Sequence, residues 1–296
     1  MSSLIDNERA QEAKHSENWS FAKFFEQWLA EQDRILQLLL ATASPSQNSN
    51  VNDDEEERQR REQNVRSLVD QVLNHYVQYY SAKKASARRD AAAVFDPRWR
   101  SSSEKMFMWV AGWRPTMAIQ LLYSMTGLQL QHRLDDLLQG QGVSTGDLAD
   151  LSADQIARVD ELHRKTVERE REITEEAAQV QETVVGNVVV ELSHVLTEMK
   201  AHLPGEGEGR ERDRGLRMEA EMAPTKERME KALESADALR LETLKAVAGI
   251  LKPLQAVHFL IAAAEVHLRV HEWGKMMDHA GSNRDSTGQI NRPSEG

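Results

Sequence analysis

An all-α fold is predicted: an elongated bundle of long amphipathic helices around a central, aromatic-rich helical hairpin. Three observations predict it. Apolar residues recur at three-, four- and seven-residue steps over most of the 296 residues, which is the period of a helix with one buried face. The composition is 40% hydrophobic and 29% charged, rich in Ala, Leu, Glu, Gln and Arg, a mixture that favours helix and supplies a core. Alternating strand-like segments are almost absent; residues 183–190 (TVVGNVVV) form the one β-like run, and it reads equally well as a buried helical segment.

The hairpin is expected within residues 95–127, FDPRWRSSSEKMFMWVAGWRPTMAIQLLYSMTG, which hold Trp99, Trp109 and Trp113, half of the six tryptophans. Ser101 and Glu104 have capping-box spacing. Pro115 suits the first turn of a second helix, where a missing N–H costs nothing. Gly112 stands between the two helices, where a left-handed C-cap would need it.

The other elements follow in order. Residues 1–16 are polar and expected to be disordered, with the folded domain spanning 17–278. Ser20 is a plausible N-cap for a first helix to about residue 41, with Phe21, Phe25, Trp28, Ile35 and Leu39 on one face and Phe24, Leu29, Leu36 and Leu40 widening it. That face reads as core, or as a surface offering Phe and Trp to a partner. A Ser/Asn-rich loop at 44–52 precedes an acidic run at 53–57 and a second helix marked by Val65, Leu68, Val72, Tyr76, Tyr79 and Lys83. Beyond the hairpin come a short helix at 128–138 and a Gly-rich loop at 140–146. Leu151-Ser152-Ala153-Asp154-Gln155-Ile156 is the best helix start in the chain, with Ser152 and Gln155 forming the box and Leu151 stapling to Ile156. This helix is expected to end near Thr183. Residues 202–223, with Gly205, Gly207 and Gly209 alternating with Glu, read as a mobile linker. A helix from Thr225 ends or kinks at Pro253, a last one covers about 254–277, and a polar tail at 279–296 is expected to be disordered.

The function classes narrow at the same time. A net charge of −11 with interleaved signs argues against direct DNA binding, which needs a basic stripe. The absence of cysteine removes thiol catalysis and thiolate metal sites. No apolar run is long enough for a bilayer, and the N-terminal residues lack the apolar region of a secretory signal, so a soluble intracellular protein is expected. No catalytic constellation is found. The one chemical cluster is His267-Leu268-Arg269-Val270-His271-Glu272-Trp273-Gly274. Histidines four apart share a helical face and suit a small metal or one axial bond to a heme; they equally suit two buried, hydrogen-bonded imidazoles. His271 falls in the buried stripe and His267 at its edge. His258 lies nearly opposite His267.

Taken together, FFEQWLAEQ, then WRSSSEKMFMWVAGWRPTMAIQLLY, then DLADLSADQIARVDELHRKTVEREREITEE, then LKPLQAVHFLIAAAEVHLRVHEWG resemble the delay-of-germination family of plants, stand-alone relatives of the C-terminal region of TGA-type bZIP transcription factors. The resemblance spans about residues 19–277. It implies a non-enzymatic regulator of seed dormancy and abscisic acid signalling, nuclear and also cytoplasmic, that binds heme and type-2C protein phosphatases. It implies heme ligation by His267 and His271; of the two, His271 is the expected axial ligand because it lies nearer the buried stripe. It also implies partner binding on the first helix, where Trp28 matches the family's Trp and Phe25 an aromatic before it, while Lys23 and Phe24 replace polar residues. Phe24, Phe25 and Trp28 are therefore the candidate partner-binding residues. The alternative is a TGA-like, transcription-associated module working through bZIP or other nuclear partners, since no basic region is present for direct DNA contact. A third reading is an apolar-ligand carrier with a pocket between the hairpin and the last helix. Self-association is consistent with the long apolar seams.

Overall fold

The computed structural model describes the backbone of residues 2–44, 55–139, 147–200 and 207–287, with side chains from residue 21 onward except at 136–137, 187–221 and 281–287. The elements are α1 (Ser2–Ala43), α2 (Glu55–Arg89), α3 (Ala91–Phe95), α4 (Ser102–Met106), α5 (Thr116–Leu138), a 3₁₀ turn (Leu148–Asp150), α6 (Ala153–Lys200), α7 (Gly207–Ile250) and α8 (Pro253–Thr287). Among the described residues there is no strand, only an isolated antiparallel bridge between Trp109 and Gly112, and no helix is long and apolar enough to cross a membrane. The expected all-α bundle is what the chain forms.

The largest core lies where α1, α2, α5 and α8 meet. Phe25, Ile35 and Leu39 of α1 meet Val72 of α2, Ile119 and Leu122 of α5 and Phe259 and Leu260 of α8. The amphipathic stripe of α1 thus has its apolar side inside, as its three- and four-residue spacing requires. A smaller core gathers Ala87, Ala91, Val94, Ala111 and Leu233, and another joins Trp109 to Ile173, Ala236 and Leu239 of the α6–α7 pair. Those two helices, 48 and 44 residues long, pack chiefly along each other.

Both capping boxes form. Ser101 accepts from the Glu104 amide at 3.2 Å while Glu104 Oε2 accepts from the Ser101 amide at 2.9 Å. At α6, Ser152 accepts from the Gln155 amide at 3.2 Å and Gln155 accepts from the Ser152 amide at 3.0 Å. The Gln155 side chain continues to the Ile250 carbonyl and to Gln255 Oε1, both at 2.9 Å, tying the start of α6 to the α7–α8 corner.

Several boundaries differ from expectation. The helix of α1 begins at Ser2, so Ser20 lies inside it rather than capping it. α5 runs unbroken through Gly127, because a helical glycine costs only about 1 kcal/mol and the helix is anchored beyond it: Gln129 accepts from the Leu148 amide at 2.7 Å, and Arg133 pairs with Asp147 and Asp150. α6 passes Thr183 to Lys200; β-branched residues lower helix propensity without ending a helix that has a packed partner. α7 starts at Gly207 and contains Pro224, so residues 207–223 are helix rather than linker, in keeping with the strong helix preference of their Glu, Arg, Met and Ala. Ile156 is 42% exposed; the buried seam of α6 begins at Val159. The expected loops at 44–52 and 140–146 fall on residues 45–54 and 140–146, which, like 201–206 and 288–296, lie outside the described residues.

The connection between α4 and α5 is a tight turn, not a helix-to-helix cap. Val110 and Ala111 adopt φ of 44° and 58°, the left-handed pair of a type I′ turn, closed by Trp109 N–H to Gly112 O at 2.6 Å and the reverse bond at 3.1 Å. Left-handed backbone is costly for side-chain-bearing residues, and buried charge holds it. Arg240 donates to the carbonyls of Trp109, of Val110 at 2.9 Å and of Trp113 at 2.6 Å. Lys83 donates to the Ala111 carbonyl at 2.7 Å and to Asp237 at 2.8 Å, and Asp237 also accepts from Arg240. Gly112 is needed for closeness rather than a left-handed cap: a Cβ there would lie 2.8 Å from Arg240 Cζ.

A second close approach sets α8 against α4, where a Cβ on Gly274 would lie 2.0 Å from Ser101 Oγ. Gly274→Ala is therefore expected to destabilise the fold by about 1–3 kcal/mol through overpacking. Gly127→Ala, in mid-helix with no neighbour within 4 Å of the new methyl, is expected to stabilise it by about 0.5–1 kcal/mol. Chemical denaturation followed by circular dichroism checks the pair; equal stability of the two variants would contradict the α4–α8 contact.

Candidate functional site

The His267–His271 pair and the Phe25–Trp28 pair, read as separate sites in the sequence, form one buried cluster between α1, α2, α4 and α8. The Phe25 ring meets His271 edge-on with centroids 5.5 Å apart, and Trp28 lies 5.2 Å from His267. Trp28 also stacks on His75 of α2 at 4.6 Å and 2°, and its indole N–H donates to the His75 carbonyl at 3.1 Å. Phe25 is fully buried and Trp28 only 4% exposed, so in the folded chain neither presents its ring to a partner. Phe24 is half-buried and packs 5.7 Å from Phe21.

The polar centre of the cluster is Glu104. Its Oε1 accepts from Arg100 at 2.7 Å, and its Oε2 takes the Ser101 amide and lies 2.9 Å from His271 Nδ1. Arg100 continues to the Tyr79 hydroxyl at 3.2 Å and stands 4.5 Å over the Phe25 ring. Asp278, two turns beyond His271, accepts from the Ser102 amide at 3.0 Å. Burial alone would raise the Glu104 carboxyl, but the bond from His271 and the Arg100 charge hold it well below the usual carboxylate range.

An ionised Glu104 can only accept, so His271 Nδ1 carries the proton of that bond, and Nε2 points away from the carboxylate. Carboxylate-backed imidazoles with a free Nε2 are the usual arrangement in metal-ligating histidines. The Nε2 atoms of His271, His267 and His75 are all buried without a hydrogen-bond partner, and such atoms call for an explanation, ligation among them. His267 is pushed down to about 3 by burial, assisted by the Arg100 charge, and is therefore neutral, the form that binds a metal. Among the described residues no three His, Cys, Asp or Glu converge into a closed metal site, so the donor set suits a group that brings its other ligands with it, as a heme does.

His267 also borders an apolar cavity of about 310 Å³ between α2, α5 and α8, walled by Tyr76, Tyr80, Trp113, Leu121 and Val266. It lies between the hairpin and the last helix, where the sequence had suggested one. Trp113 is 6.1 Å from His267 and stacks on Phe107.

Sequence reasoning missed His75, Arg100 and the link from Glu104 to His271. Glu104 is legible only as a capping residue; its second role depends on a partner 167 positions along the chain, which no local pattern encodes.

Stability should carry the signature of these imidazoles. Burial lowers His75, His258 and His267. Below about pH 6.5 the unfolded chain then takes up protons that the folded chain refuses, so stability falls as pH drops, fully present only above 6.5. The expected result is a loss of unfolding free energy between pH 7 and 5 that is smaller in His267→Phe. A pH-independent free energy over that range would contradict the buried neutral state.

Residues 44–124 match the family model described as seed dormancy control. The chain is 30% identical to Protein ZW2 of Arabidopsis thaliana over 262 residues, covering 88% of this chain and 98% of that protein. It is 28% identical to Protein DOG1-like 3 of the same plant over 222 residues, 73% of this chain and 74% of that one. Similarity to the rice Transcription factor TGAL10 is partial, 30% over 103 residues and 23% of its length. On these comparisons, and with an all-helical fold, the chain belongs to the delay-of-germination family.

Proposed function

We propose that this chain is a non-catalytic signalling regulator that works by binding, taking a heme at the α8 histidine pair and a type-2C protein phosphatase on α1, in abscisic acid signalling. The single observation that carries the heme reading is the pair of buried, unpartnered Nε2 atoms one helical turn apart, one of them on an imidazole polarised by a carboxylate. A bound heme would supply an iron centre open to an axial nitrogen and sensitive to redox state. One helix cannot place both nitrogens on opposite sides of a flat macrocycle, because one turn rises only about 5.4 Å. One histidine would therefore hold the iron. His271 would be the better donor, since the Glu104 carboxylate fixes its ring; His267 would substitute for it or orient the ligand.

Partner binding on α1 falls to its exposed side. Lys23, Glu26, Gln27 and Asp33 face solvent, whereas Phe25 and Trp28 support the helix from within. The related reading, a TGA-like module acting with nuclear bZIP partners, is favoured by the partial match to a TGA factor and shares the nuclear location.

Titration with hemin, followed at the Soret band, tests the heme reading. The His267→Ala/His271→Ala double variant should lose the band, and His271→Ala should weaken binding more than His267→Ala. His271 also holds α4, so the thermal transition of each variant is recorded. His267→Ala, which breaks no described side-chain hydrogen bond, serves as the folded reference. An unchanged Soret band in the double variant would return both histidines to the core. For the partner, pull-down of a purified type-2C phosphatase domain should succeed with the wild type, and Trp28→Ala should lose it together with its thermal transition. Retained folding with lost binding would instead make Trp28 a direct contact.

A further inference from the structure

We propose that the open groove between α1 and α8 is a docking site for a basic amphipathic helix of a partner protein. This rests on the reading that α1 carries partner binding, but not on the partner being a phosphatase. The groove encloses about 540 Å³. Leu29, Leu36 and Leu268 form its floor, and Leu40, 37% exposed, stands at one end. Along α1 it runs from Glu26 to Leu40, about 21 Å at the helical rise, which accommodates roughly four turns of a docked helix. An apolar floor between two parallel walls is the shape that receives an amphipathic helix through anchors at three- and four-residue steps.

Charge selects the occupant. Glu26 and Asp33 stand on the α1 wall, Glu265 and Glu272 on the α8 wall, against Arg269 and Lys275, with the largely buried imidazole of His271 also on the lining. Four acids and two bases leave the lining at −2. Both cations are already engaged: Arg269 lies 3.4 Å from Glu265, and Lys275 lies 3.1 Å from Glu26 across the groove. Asp33 and Glu272, one on each wall, have no ionic partner among the described residues. A helix flanked by Lys or Arg would pair with them, whereas a neutral or acidic helix would bury or oppose them. A second copy of this chain would bring the same acidic walls and be repelled. The Lys275–Glu26 pair is solvent-exposed, with side chains 47% and 56% accessible. Such a pair contributes little, so the ammonium can give way to an incoming cation. The net charge of −11 adds long-range attraction for a cationic partner.

The test uses the full chain and two fluorescein-labelled synthetic helices with the same leucine anchors at i, i+4, i+7 and i+11, one flanked by Lys and Arg and the other by Glu. Fluorescence anisotropy measures binding. Asp33→Lys/Glu272→Lys alters the groove; Glu176→Lys/Glu182→Lys makes the same change in net charge on the exposed face of α6, and Leu40→Asp tests the floor's rim. The basic helix is expected to bind the wild type with micromolar affinity, about tenfold more weakly to the groove double variant and to Leu40→Asp, and within about twofold of wild type to the α6 variant, as a local charge pair requires. Absence of binding overturns the proposal. So does equal weakening in both charge variants, which would mean general electrostatic attraction, or equal binding of the acidic helix, which would mean an apolar site indifferent to charge. Concentration-dependent dimerisation that the groove variant abolishes would assign the groove to a second copy and also overturn it. Peptide binding together with failed phosphatase pull-down would leave the groove standing and remove the phosphatase.

Discussion

The buried carboxylate of Glu104 is the joint on which the central cluster turns. It closes the cap of a five-residue helix, neutralises Arg100, and holds the imidazole of His271 on α8. Through Arg100 the same charge reaches Tyr79 on α2 and the face of Phe25 on α1. A helix as short as α4 does not persist on its own, since nucleation costs more than one turn returns. Its stability is borrowed from the docking of Ser101 and Ser102 against Gly274 and Asp278. Removing one member of such a network strands the others in a low-dielectric site, which costs several times what the intact bonds contribute.

A second buried charge group does comparable work on the other side of the hairpin. Lys83, Asp237 and Arg240 bring two cations and one anion inside, and carbonyls of the 109–113 turn absorb the remaining positive charge. Burial still outweighs the Asp237 partnership at Lys83, whose ammonium is pushed down to about 8. The arrangement makes sense as a device for specificity. The left-handed Val110 and Ala111 are strained in isolation, and aimed donors from α2 and α7 select that one conformation. The turn in turn aims Trp109 at Thr174 on α6, with a 2.8 Å bond, and carries Trp113 to the wall of the cavity beside His267.

What was legible in the sequence was whatever is encoded locally. The Ser101–Glu104 and Ser152–Gln155 boxes and the apolar face of α1 are patterns of neighbouring turns, and the helices follow them. Helix ends differ from expectation where a local breaker is outvoted, as Gly127 is by the anchors of Gln129 and Arg133. Gly112 was recognised as necessary, but for a left-handed conformation that Val110 and Ala111 adopt instead. In the site, the histidine pair and the aromatics of α1 were both singled out. That they share one cluster was not, because side chains near opposite ends of the sequence meet only once α1 lies along α8.

That convergence has a mechanical consequence. His271 touches Phe25 and His267 touches Trp28, and His271 also borders the groove that α1 lines with Glu26, Asp33 and Leu40. Close-packed interiors shift as units rather than yielding smoothly. A ligand that reached His271 from the groove would press on Phe25, whose ring sits on the helix that forms one wall of that groove. The imidazole side and the rim side of the groove thus meet at the same stretch of α1. Occupancy on one side and binding on the other would then share one free energy, that of the position of α1, which is the physical requirement for coupling between two sites.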